Sequence, residues 1–148
     1  MKLVRMSLAV AALALAGAAL AAGKVPAFNM DGKGVALHGY DAVSYFENDP
    51  VPGTYAFSYN YGEATWRFAS AENRKKFARE PEKYLPQFGG YCAKAVSEND
   101  TADIDPLAYR IIHGKLYLNY DAKIQKLWER DIPGRIAKAE KYWPTLHE

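Results

Sequence analysis

Between residues 65 and 84 the chain passes from strand-like alternation to helical spacing at a single serine, and this junction constrains the fold most. Thr65-Trp66-Arg67-Phe68 alternates, with Trp66 and Phe68 on one face of a half-buried strand. Ser70 supplies an N-cap oxygen for a helix over Ala71 to Arg79, and Glu72 stands near that helix's positive end. Phe77 turns the helix back toward the strand. Pro81 stops it and opens a further turn ending at Tyr84. Gly89-Gly90 then permits a sharp bend, with Cys92 just beyond it.

The flanking segments supply partners for this unit. Tyr55 to Tyr61 alternates, placing Tyr55, Phe57, Tyr59 and Tyr61 on one face, and Gly62-Glu63 reads as a two-residue turn into Ala64 to Phe68. A second hairpin runs Tyr109 to Ile112, turns at His113-Gly114 and returns over Lys115 to Tyr120. Asp121 caps a helix carrying Ile124, Leu127 and Trp128 on one face. Pro133 interrupts it, and a second helix with Ile136, Ala139 and Trp143 ends at Pro144. The expected architecture is α+β: a small antiparallel sheet built from two β-hairpins, with short helices packed on it and a C-terminal helix pair. One domain over 35–146 holds all of it.

What precedes that domain reads as a targeting segment. Lys2 and Arg5 give a positive start, Met6 to Ala16 is apolar, and Ala19-Leu20-Ala21 offers a small-residue cleavage site. The apolar run is short for a membrane span. Residues 1–21 are therefore expected to be a signal peptide, cleaved near Ala21, that sends the protein to the periplasm with no stable membrane span. Residues 22–34, with Pro26 and Gly32, read as a flexible lead. The signal holds two of the 19 Lys and Arg and none of the 17 Asp and Glu, which leaves the mature chain formally neutral. No electrostatic case for nucleic acid or an anionic membrane remains.

An exported chain with one cysteine cannot bridge internally, so its core must fold without a disulfide. Cys92 is then a buried inert side chain, a bridge to another chain, or a group kept for its chemistry.

The run Trp66-x-Phe68-x-Ser70, followed by Phe77, Pro81 and Tyr84, resembles the YHS domain family. The longer pattern resembles its secreted bacterial branch: Gly39-Tyr40-Asp41, then Gly89-Gly90-Tyr91-Cys92-Ala93, then Leu116-Tyr117-Leu118-Asn119-Tyr120. Metal-binding relatives place cysteines where this chain has Ser44, Ala69 and Asn73. Alanine cannot ligate, and serine and asparagine are poor partners for a soft metal. The resemblance therefore does not carry the usual thiolate site with it.

The residues left for chemistry are Cys92, His38, Asp41, Tyr40 and Tyr91. Cys92 offers a nucleophile or a soft-metal ligand. His38 precedes Gly39-Tyr40-Asp41, so Asp41 is placed to orient its ring, or else to cap a turn through Val43 and Tyr45. Tyr40 and Tyr91 are core or rim aromatics. The first expectation is a periplasmic YHS-type binding or accessory domain that holds a small ligand or a thiophilic metal ion, copper foremost, near Cys92 and His38. In that reading both side chains face one shallow pocket walled by Tyr40 and Tyr91. A thiol enzyme or redox protein using a Cys92–His38 dyad is the second. The third is a structural or protein-interaction module, with a periplasmic protein partner and no metal site.

Overall fold

A computed structural model describes residues 23–148. The expected signal peptide, residues 1–21, lies outside the described residues. The domain contains two antiparallel hairpins, β1 (Thr54–Tyr61) with β2 (Ala64–Phe68), and β3 (Tyr109–Ile112) with β4 (Lys115–Leu118). Among the described residues five α-helices accompany them: α1 (Ala71–Arg79), α2 (Pro81–Tyr84), α3 (Ala93–Ser97), α4 (Ala122–Trp128) and α5 (Ile132–Leu146). The α+β class holds.

The hairpins remain two separate two-stranded sheets rather than joining into one. Irregular segments occupy the edges through which they would have joined. The outer edge of β2 is taken by Gly34 and Ala36, which bond to Thr65 at 2.8 and 2.9 Å, and β4 is bridged by Pro86. With those backbone groups satisfied, neither edge offers a free ladder to the other.

Local chemistry places the strand-to-helix junction. The Ser70 hydroxyl accepts the Asn73 amide at 3.1 Å, capping α1, and Asp121 accepts the Ile124 amide at 2.7 Å, capping α4. Phe77 from α1 is fully buried among the rings of Trp66, Phe68, Tyr59 and Tyr61, with centroids 5.1 to 6.0 Å away. That cluster is the centre of the larger core. A second core, around Trp128, Tyr117, Phe88 and Tyr91, lies under α5.

Three expectations change. Tyr55 does not share the inner face of β1, for it is 84% exposed. Register slips between Thr54 and Ser58, so extra residues bow outward there and the alternation restarts after them. Pro144 lies inside α5 instead of ending it. It falls in the last turn, where the carbonyl it leaves unbonded belongs to exposed Glu140 and can meet solvent. The lead 22–34 is held to the domain from Val25 onward: Val25 pairs with the C-terminal segment, and Asn29 donates to the Gly89 carbonyl at 2.8 Å. Phe28 packs edge-on to Trp66 at 5.3 Å, and this half-buried ring anchors a segment whose composition looks loose.

Candidate functional site

Asp41 is the most completely committed of the candidate residues. Its carboxylate is fully buried and accepts four N–H groups: Val43 at 2.8 Å and Ser44 at 3.3 Å on Oδ1, then the Ala69 amide at 2.9 Å and the Asn73 side chain at 2.8 Å on Oδ2. The Ser44 hydroxyl also donates to the Asp41 carbonyl at 2.6 Å and accepts the Val51 amide at 3.1 Å. Ser44, Ala69 and Asn73 thus close around one carboxylate. Asp41 accepts the Val43 and Ser44 amides at the entry to the turn at Ser44–Glu47, whose N-cap position is Val43, and it also ties that turn to the end of β2 and to α1. It does not orient His38.

His38 finds a different acid. Its Nε2 lies 2.7 Å from Asp103 Oδ1, so that nitrogen carries the proton and donates. Asn29 donates to the same oxygen at 2.9 Å and to the Gly90 carbonyl at 3.3 Å. Burial alone would raise the Asp103 carboxyl, but hydrogen bonds from His38, Asn29 and the Ile104 amide outweigh it and hold it below the usual carboxylate value. Two runs of left-handed backbone border this cluster, Leu37-His38-Gly39 and Phe88-Gly89-Gly90. Gly89 is required in the second run, since a Cβ there would drive into the Ala27 carbonyl.

A depressed carboxyl stabilises the fold above its ordinary value near 3.8 and loses that contribution as pH falls through the lower folded value. Wild type is therefore expected to exceed Asp103→Asn in urea midpoint at about pH 5, with the gap closing toward about pH 2. The side chain is 56% exposed, so the gap stays below about 1 kcal/mol. A gap that widens on acidification would remove Asp103 as the ordering acid of this cluster.

Cys92 is 1% exposed, and its thiol faces Asn119 Oδ1 at 3.6 Å. The same oxygen accepts the Lys94 amide at 3.1 Å, while the Asn119 Nδ2, fully buried, has no partner among the described residues. Beside Cys92 lies a shallow groove of about 180 Å³ lined by Ala95, Ala102, Ile124 and Tyr120 together with Lys94 and Glu98. His38, Tyr40 and Tyr91 do not line it. The expected pocket shared by His38 and Cys92 is not formed, and no hydrogen bond joins the pair. Tyr40 packs on the larger core, whereas Tyr91 belongs to the second and donates from its hydroxyl to the Pro26 carbonyl at 3.1 Å. Burial raises the Tyr91 hydroxyl above its ordinary value, with the Asp103 carboxylate adding to it.

The donor set does not suit a thiophilic metal. Among the described residues no three of His, Cys, Asp and Glu gather as a metal-binding group, and Cys92 has an amide oxygen beside it where a soft ligand is needed. Asp103, Asn29 and Asn119 are site residues that the sequence did not single out. Only Asn119 carried a signal, inside the Leu116 to Tyr120 run. No family model, no curated protein and no solved structure matches the chain. Among the described residues no helix is long and apolar enough to cross a membrane.

Proposed function

We propose that the chain is an exported accessory domain of the YHS type, working in the periplasm as a binding module rather than as an enzyme. It takes a small apolar ligand in the groove over Cys92. The observation that carries this reading is a buried thiol at the base of an open apolar groove, in a chain with no disulfide to make. The groove has room for about six water-sized groups, which suits a short alkyl chain or one ring. The dyad reading is weakened because His38 is engaged with Asp103. Copper is not part of the proposal, because its ligands do not converge. The interaction-module reading keeps one observation in its favour, the exposed apolar side chains of Tyr55, Leu107 and Tyr120.

Hexanol titrated into isotopically labelled protein is the direct test. Amide shifts are expected to cluster at Cys92, Ala95, Ala102 and Ile124, and to vanish in Ala102→Leu, which fills the groove. Scattered or absent shifts would leave the interaction module as the better reading. In parallel, Cu(I) uptake under chelator competition is expected to be weak and equal in wild type and Cys92→Ser. Tight one-to-one uptake lost in the serine variant would restore the metal reading.

A further inference from the structure

The apolar groove does not stand alone. Lys94 and Glu98 line it and also line a second, larger cleft of about 520 Å³ between α3 and the start of α5. That cleft gathers four cationic side chains, Lys94, Arg130, Arg135 and Lys138, against the carboxylates of Glu98 and Asp131. Both carboxylates already accept hydrogen bonds. Glu98 is held between Lys94 at 2.7 Å and Arg135 at 2.8 Å, and Asp131 accepts the Gly134 amide at 3.0 Å as the cap of α5. Arg135 is further fixed by the Ser97 hydroxyl at 3.1 Å. Among the described residues, neither Arg130 nor Lys138 lies within ion-pair distance of a carboxylate. A formally neutral mature chain has thus concentrated a local excess of two positive charges beside its apolar groove.

Lys94 links the two cavities, since it lines both. Its backbone is tied to the same Asn119 oxygen that receives the Cys92 thiol, and its ammonium pairs with Glu98, which also lines both. An apolar body seated over Cys92 would therefore emerge beside the cations.

Resting on the reading that the Cys92 groove is a binding site, we propose that its ligand is a small amphipathic anion. A short apolar body lies over Cys92, and a carboxylate or phosphate head enters the cleft toward Arg130 and Lys138. The Lys94–Glu98 pair forms the sill between them. The cations act as partly solvated attractors, so they supply selectivity for charge sign more than affinity.

The test compares hexanoate, hexanol and hexylammonium by amide shift titration on the full mature chain. Hexanoate is expected to bind about tenfold more tightly than hexanol, since two partly exposed charge contacts together amount to about that factor. Hexylammonium is expected to bind more weakly than either. The advantage of hexanoate should shrink as salt is added and disappear in the Arg130→Gln, Lys138→Gln double variant. These two side chains are exposed, so the double variant is expected to fold. Equal binding of hexanoate and hexanol would overturn the anion proposal and leave the groove reading intact, as would an advantage that survives the double variant. Failure of all three probes to shift Cys92 and Ala95 would remove the groove reading itself.

Discussion

Replacing Asp41 with alanine is expected to cost the fold about 3 to 4 kcal/mol, the largest loss from any single polar side chain described above. The substitution removes the acceptor of four N–H groups at once. The Ser44 amide keeps a second bond, to the Asp41 carbonyl at 3.1 Å, but the Val43 amide, the Ala69 amide and the Asn73 side chain are left without their described partner. Each such group costs about 1 to 3 kcal/mol where water does not replace the bond. Asp41→Asn keeps the shape and one acceptor oxygen yet turns an NH2 toward donors, so it is expected to lose about half as much. Denaturant unfolding measures both, and for alanine a fall in melting temperature of roughly 12 °C is expected. A loss under about 1 kcal/mol for alanine would mean that water replaces the carboxylate freely, and the buried knot would not be what joins the three segments.

Ser44, Ala69 and Asn73 hold one buried carboxylate between them. Backbone amides and the Asn73 side chain, all bonded to this carboxylate, cross-link the Ser44 turn, the end of β2 and α1.

Phe77→Ala is expected to be as damaging, at about 4 kcal/mol. The ring is fully buried between four aromatic neighbours drawn from both strands of the first hairpin, so its removal leaves a cavity that rigid rings cannot readily close around. Phe77→Leu refills most of the volume and is expected to cost below about 1.5 kcal/mol. Urea unfolding gives the energies, and near-ultraviolet circular dichroism reports the loss of fixed ring packing in the alanine variant. If alanine costs no more than leucine, the cluster collapses around the gap, and Phe77 is not the anchor of α1 on the hairpin.

The elements that could be read from the residues are those whose determining contacts are short in sequence. Ser70 caps α1 through an amide three positions on, and Asp121 caps α4 in the same way. Gly62-Glu63 and His113-Gly114 turn their hairpins with consecutive left-handed residues. In each case the hydrogen bond or backbone angle that decides the structure involves residues within about four positions, so the pattern of residue types contains the cause. Helix α5 marks the boundary of that legibility. Pro144 has a strong local preference against helix, yet the packing of Trp143 and Leu146 on the second core carries the helix past it.

The site belongs to the other kind of contact. Asp41 takes two of its four donors from 28 and 32 positions away, His38 finds Asp103 at 65, and the Cys92 thiol meets Asn119 at 27. From the chain alone, Asp41 beside His38 suggested one cluster, but adjacency in sequence left their side chains with different partners. The sequence by itself determined the cap, turn and strand-to-helix signals and the single thiol. Only the tertiary structure decided which acid serves which donor, because a buried polar group pairs with whatever the folded backbone brings within 3 Å of it. That depends on how the hairpins, α1 and α3 pack together, an arrangement no short window of residues encodes.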